Sequence, residues 1–108
     1  MGSLTYGPSG TEVHFDDRTL EHLQVVIATK LRRRESFFFS WRGTGDDGGG
    51  RSSIWLDPAI PLWFDYEGDR VPALNREWLS ELTASSNSSS GLVLTDEPTP
   101  ASGSGQAR

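Results

Sequence analysis

Apolar residues recur along the first third of the chain with two different periods. Val13 and Phe15 alternate with polar neighbours, which predicts a half-buried strand. From Arg18 to Arg33 the spacing of apolar residues lengthens to three and four positions, which predicts an amphipathic helix. Asp16 precedes this helix, where a carboxylate can cap the N-terminus. The apolar face of the predicted helix consists of Leu20, Leu23, Ile27 and Leu31.

The rest of the chain consists of short apolar runs separated by turn residues. Segments 37–42, 51–57 and 62–66 alternate like strands, with Gly-rich or Pro-containing segments between them. A second helix is expected to begin after Asn75, a good N-cap residue, and a short strand to follow at 92–94. With two short strands before the first helix, the order is β-β-α-β-β-β-α-β. This order predicts an α+β fold, a small mostly antiparallel sheet with two helices.

The composition divides the chain into one domain and a tail. All four Trp and all five Phe of the 108 residues lie between residues 15 and 78, so aromatic side chains should supply much of a thin core. After residue 94 the chain is rich in Pro, Ser, Gly and Thr and has no apolar period. We therefore predict a single α+β domain over 1–94 and a disordered tail over 95–108.

Several chemistries find no support in the residues present. The chain has no Cys, which excludes disulfides and thiolate zinc sites, and its two His cannot form a three-His site. Gly43, Gly45 and Gly48 match G-x-G-x-x-G, but a strand pattern follows instead of a helix, so we expect a mobile hairpin loop over 43–50. There is no G-x-S-x-G elbow, and a hydrolase or transferase would need a polar cleft that the sequence does not locate. We predict no catalytic residues, no cofactor and no metal.

Localisation follows from what the sequence lacks. No apolar run approaches the length needed to cross a bilayer, and the N-terminus has no secretory signal pattern. We therefore expect a cytoplasmic protein without a membrane partner.

Positive charge is concentrated in residues 30–42, KLRRRESFFFSWR. The chain has a net charge of −5, but residues 18–51 carry +3 and the remainder −8. Two interpretations of these cations stay open: they stabilise the negative end of the helix dipole, or they contact phosphates. The candidate phosphate contacts are Lys30, Arg32, Arg33, Arg34, Arg42 and Arg51.

The aromatic residues of the three predicted strands indicate a second surface. If the more apolar side of each strand faces the core, then Phe38, Trp55 and Trp63 emerge together, beside Arg42 and Arg51. Such a face could be a second core layer under a helix, an interface with a protein partner or a second copy, or a platform for stacking single-stranded bases.

Three segments carry a resemblance to a known family. FDDRTLEHLQVVIATKLRRRESFFFSW, GGGRSSIWLDPAIPLWF and ALNREWLSEL resemble small single-domain actinobacterial proteins of unknown function, over about residues 3–95. Members often carry the label "ATP-dependent DNA ligase", which implies at most a link to DNA metabolism. The only lysine, Lys30, is followed by Leu-Arg-Arg and not by the K-x-D-G pattern of such ligases. The resemblance therefore implies no catalytic residue.

Together these patterns lead to one functional hypothesis and one alternative. We expect a non-catalytic interaction module that binds a protein partner or itself through Phe38, Trp55 and Trp63. The alternative is a nucleic-acid-binding accessory protein, associated with DNA metabolism or a ligase, that uses the six cations and the aromatic residues.

Overall fold

The computed structural model describes residues 1–43, 50–71 and 73–99, and these ranges form two helices and six strands. The element order is β-β-α-β-β-β-α-β, which confirms the predicted α+β class. Neither of the two helices is long and apolar enough to cross a membrane. The elements are β1 Gly2–Tyr6, β2 Thr11–Phe15, α1 Asp17–Arg32, β3 Phe37–Arg42, β4 Arg51–Leu56, β5 Leu62–Asp65, α2 Arg76–Ser86 and β6 Leu92–Val93.

The strands form two small sheets, where the sequence predicted one. Sheet A has the order β2-β1-β5, and both of its strand pairs are antiparallel. Sheet B has the order β4-β3-β6, in which β3 and β4 are antiparallel and β3 and β6 are parallel. The division arises between β4 and β5, where a turn over Asp57–Ile60 directs β5 to β1 and away from β4.

One hydrophobic core lies between the inner faces of both sheets and the two helices. Leu4 of sheet A, Leu20 of α1, Phe39 of sheet B and Leu82 of α2 are all fully buried. Phe15, at the end of β2, contacts the ring of Phe39 at a centroid distance of 6.1 Å, which joins the two sheets. Each fully buried side chain of this size stabilises the fold by about 1.5–3 kcal/mol.

The chain beyond β6 makes specific contacts with the helices. The carbonyl of Thr95 accepts a hydrogen bond of 3.2 Å from the indole N–H of Trp78, and Glu97 pairs with Arg18. The ordered contacts therefore extend past the predicted domain boundary at residue 94. The rest of the predicted tail, residues 100–108, lies outside the described residues.

The predicted hairpin loop between β3 and β4 lies mostly outside the described residues. At its base the N–H of Gly43 donates a hydrogen bond of 2.6 Å to the carbonyl of Gly50. This contact continues the antiparallel pairing of the two strands as far as the glycine pair.

Candidate binding face and groove

The outer face of sheet B carries three successive cross-strand pairs. The register of β3 and β4 sets Phe38 opposite Trp55, Ser40 opposite Ser53 and Arg42 opposite Arg51. Val93 of β6 lies beside Ser40 on the third strand. The face therefore has an aromatic row, a row of small residues and an arginine row, and we call these seven residues the outer face of sheet B.

The aromatic row is exposed to solvent. Phe38 is 51% exposed and Trp55 is 44% exposed. Their rings meet edge to face, with centroids 5.0 Å apart and planes at 67°. Because about half of each side chain remains open, these two residues are not a second core layer under a helix.

Trp63 lies on the other sheet. It belongs to β5, pairs with Thr5 of β1 and is 69% exposed. Thr5 also pairs with Glu12 of β2, so Trp63 and Glu12 lie on the same side of sheet A, together with Asp65. The structure thus divides the expected aromatic face into two faces, because β5 pairs with β1 and not with β4.

A groove of about 450 Å³ opens beside the aromatic row. It is lined by Phe38 and Trp55, by the end of α1 and by residues 86–89. Gly91, with φ +79°, brings the loop after α2 against β3, since a Cβ at this position would lie 2.5 Å from the carbonyl oxygen of Phe38. The only carboxylate among the described residues that line the groove is Glu35.

The six predicted phosphate contacts occupy three different environments. Lys30 is buried, and its ammonium lies 2.6 Å from Glu35 and 2.8 Å from the side-chain oxygen of Asn87. The Lys30 hydrogen bond, supported by the charge of Arg33 at 3.0 Å, holds the pKa of Glu35 below its usual value.

The remaining arginines are exposed, but only two of them lie on the same face as the aromatic row. Arg42 and Arg51 lie on the outer face of sheet B, whereas Arg32 and Arg34 lie at the end of α1 and line neither the face nor the groove. The structure therefore brings Arg42 and Arg51 together with Phe38 and Trp55, and it places Lys30 and Arg33 at the groove.

A buried polar cluster that the sequence analysis missed joins α1, α2 and the C-terminal segment. His22 is fully buried; its Nδ1 lies 2.7 Å from the carbonyl of Arg18, and its Nε2 accepts from the backbone N–H of Asn75. The side chain of Asn75 caps α2 through its oxygen and donates to Glu97 and Pro98 through its nitrogen. The only sequence signal was the N-cap position of Asn75.

The charges of this cluster are compensated within the fold. Arg18 donates to both carboxylate oxygens of Glu97, at 2.7 and 2.6 Å. The pKa of Glu97 is lowered to about 2, chiefly by the Arg18 hydrogen bond and further by that of Asn75. Each polar group named here has a protein partner, so the cluster is a structural link. No group of three or more His, Asp or Glu within the described ranges is arranged to hold a metal ion.

Comparison with known proteins adds one match. No curated protein matches the chain, and no solved structure matches it. A family model matches residues 1–97, a span that includes the four side chains of the buried polar cluster, Arg18, His22, Asn75 and Glu97. The match agrees with the resemblance to a family of unknown function, while the actinobacterial origin and the ligase label stay predictions. The chain belongs to the family described as "Domain of unknown function (DUF7882)".

Proposed function

We propose that this protein is a non-catalytic interaction module that binds a protein partner through the outer face of sheet B. The observation that carries the proposal is the aromatic pair Phe38–Trp55, which remains about half exposed on a sheet whose other face is core. Trp, Phe and Arg are enriched at the centres of protein interfaces, and a few such residues supply most of the binding energy.

The arrangement of the face supports a partner with both apolar and charged groups. Successive rows on one side of a sheet lie about 7 Å apart, so the arginine row lies about 14 Å from the aromatic row. A partner can insert an apolar side chain at Phe38 and Trp55 while its acidic groups reach Arg42 and Arg51. The adjoining groove of about 450 Å³ adds a concave surface to the apolar end.

The edges of sheet B favour docking on its face and not the addition of another strand. The hydroxyl of Tyr6 donates a hydrogen bond of 2.5 Å to the carbonyl of Trp55 on one edge strand. On the other edge strand the N–H of Val93 donates to the hydroxyl of Ser85 at 2.8 Å. Each edge thus has a backbone group already occupied by a side chain, which hinders pairing with an incoming strand.

A site-specific crosslink tests the proposal. A photoreactive amino acid replaces Ser53, midway between the aromatic and arginine rows, and in a control it replaces Thr83, an exposed residue of α2. We expect protein adducts from position 53 that disappear in the Trp55→Ala background, and none of these from position 83. Adducts that persist in Trp55→Ala, or their absence from position 53, would overturn the proposal. Val71→Ala is the matched control for Trp55→Ala and should leave the adducts from position 53 unchanged, because Val71 is 73% exposed and lies outside both sheets.

One observation favours nucleic acid as a second candidate partner. Arg42 lies directly opposite Arg51, a like-charge pair that destabilises a sheet unless an anion lies between the two side chains. The pair lies on the same face as the aromatic row, so one single strand can stack a base on that row while a phosphate further along it reaches the two arginines. A labelled single-stranded oligonucleotide should then bind at low salt, lose affinity steeply as salt rises, and bind more weakly to Arg42→Ala/Arg51→Ala. Binding that is insensitive to salt or to this double substitution would contradict the candidate.

A further inference from the structure

The outer face of sheet A has the opposite charge to the outer face of sheet B. Its cross-strand pairs place Glu12 and Trp63 on either side of Thr5, and His14 and Asp65 on either side of Ser3. We call these six residues the outer face of sheet A. It carries two carboxylates and no Lys or Arg, whereas the outer face of sheet B carries two arginines and no carboxylate.

Both faces also present an exposed aromatic group. Trp63 is 69% exposed on sheet A, and Phe38 and Trp55 are about half exposed on sheet B. An indole that protrudes from one surface complements a half-open aromatic pair beside a groove, because aromatic rings pack edge to face or offset. Charge and shape therefore match between two different faces of the same chain.

We propose that the outer face of sheet B binds the outer face of sheet A on a second copy of this chain. This inference rests on the proposed function and names the partner. Trp63 of one copy packs against Phe38 and Trp55 of the other. Asp65 lies two positions along the strand from Trp63, about 7 Å away, and the side chains of Arg42 and Arg51 are long enough to span the remaining distance of about 7 Å.

The contact joins unlike faces, so its symmetry has a measurable consequence. Each pair of copies keeps one unused face of each kind at the two ends of the assembly. A head-to-tail contact of this type continues to a closed ring or an open filament, whereas a contact between two like faces stops at a dimer. The average molecular mass of the assembly should therefore increase with protein concentration and exceed the mass of a dimer.

Complementary variants test the inference by sedimentation and light scattering. Trp55→Ala removes the anchor of sheet B and Trp63→Ala removes that of sheet A, and each alone should need a concentration higher by about tenfold or more to associate. An equimolar mixture of the two should form a one-to-one dimer and stop there, since each variant retains one intact face. Val71→Ala should assemble like the unchanged chain, and circular dichroism should show that all variants are folded.

Charge reversal provides a second pair of variants that leaves the aromatic residues in place. Arg51→Glu and Asp65→Lys should each weaken association alone, because each brings like charges together at the contact between the two faces. An equimolar mixture should restore association. In this mixture the outer face of sheet B with Glu at position 51 meets the outer face of sheet A with Lys at position 65, so their charges are opposite. The outer face of sheet A of the first variant and that of sheet B of the second are unsubstituted and pair as in the unchanged chain. A mixture that associates no better than its components would overturn the inference.

Three outcomes separate this inference from the proposed function. A chain that stays monomeric at every concentration, or a Trp63→Ala variant that associates as well as the unchanged chain, overturns head-to-tail assembly. If the crosslink from position 53 then reaches a different protein, the proposed function stands and only the identity of the partner is wrong. If the molecular mass of the protein in solution increases only when a single-stranded oligonucleotide is added at low salt, then head-to-tail assembly and the proposed protein-binding function are both overturned in favour of nucleic-acid binding.

Discussion

The Nε2 atom of His22, on α1, accepts a hydrogen bond of 2.8 Å from the backbone N–H of Asn75, the residue that precedes α2. The other ring nitrogen lies 2.7 Å from the carbonyl of Arg18, so these partners assign the neutral imidazole with its proton on Nδ1. The ring also packs against Trp78 at a centroid distance of 4.6 Å. A fully buried histidine thus joins the two helices.

Removal of this link should destabilise the fold. His22→Ala leaves a cavity and an unpaired buried N–H at Asn75, and we expect the free energy of unfolding to fall by about 3 kcal/mol. Urea denaturation at neutral pH measures the change. His14→Ala is the control, because the His14 side chain is 61% exposed, and it should change stability by less than about 0.5 kcal/mol. Equal effects of the two substitutions would show that the link contributes nothing.

The pairing of Glu97 should make stability depend on pH. Its pKa is lowered from 4.5 to about 2, chiefly by the Arg18 hydrogen bond and further by that of Asn75. Because the folded-state pKa is the lower one, the carboxylate stabilises the fold above pH 4.5, and this contribution is lost as pH falls from 4.5 towards 2. Glu97→Gln should therefore be less stable than the unchanged chain near neutral pH, and the difference should shrink through that window.

The cause of this pH dependence can be isolated with a double-mutant cycle. In an Arg18→Met background, Glu97→Gln should produce a much smaller pH-dependent difference, since the main cause of the lowered pKa is absent. Chemical denaturation from about pH 7 down to about pH 2.5 measures all four proteins across the expected transition. If the effect of Glu97→Gln depended on pH as strongly in the Arg18→Met background as in the unchanged chain, the ion pair would not be the origin of the pH dependence.

Two glycines with similar backbone angles should respond differently to alanine. Gly10 has φ +75° with open space around it, so Gly10→Ala should cost about 1–2 kcal/mol. Gly91 has φ +79°, and its added Cβ would lie 2.5 Å from the backbone oxygen of Phe38, so Gly91→Ala should cost more, about 3 kcal/mol or above. Thermal unfolding compares the two variants. Equal costs would mean that the loop at Gly91 moves freely away from β3.

Lys30 should contribute more to the stability of the fold than to the binding of an oligonucleotide. Lys30→Met removes the ammonium that contacts Glu35 and Asn87 in a side chain only 9% exposed, and we expect a loss of about 2 kcal/mol. Arg32→Met, an exposed neighbour on the same turn, should change stability by less than about 0.5 kcal/mol. If Lys30→Met left stability unchanged but weakened oligonucleotide binding, Lys30 would be a phosphate contact after all.

The pattern of the sequence was sufficient to predict which residues of β3 and β4 share a side. Phe38 alternates with the buried Phe37 and Phe39, and the same period of two in β4 exposes Trp55 while Leu56 is buried. Asn75 was also identified correctly as the N-cap of α2. These features are local, because they depend only on strand pleating and on helix-end chemistry.

Features that depend on pairing between distant segments could not be predicted in this way. Trp63 follows the same alternation, but its strand pairs with β1, more than fifty residues earlier in the chain. Lys30 belongs to a visible cationic run, yet its ammonium is buried because Glu35 and Asn87 converge on it. His22 is not among the residues of the predicted apolar face of α1, and only the packing of Asn75 against the helix provides its buried partner.

The sequence by itself determined the class of fold, the order of the elements and which residues of β3, β4 and β5 share a side, because apolar periodicity and turn residues act over a few positions. The tertiary structure decided that the strands form two sheets, that Trp63 and Trp55 lie on faces of opposite charge, and that the chain after β6 is held by Asn75 and Arg18. These outcomes depend on which distant segments reduce the exposed apolar area most while satisfying their polar groups, and no local pattern encodes that choice.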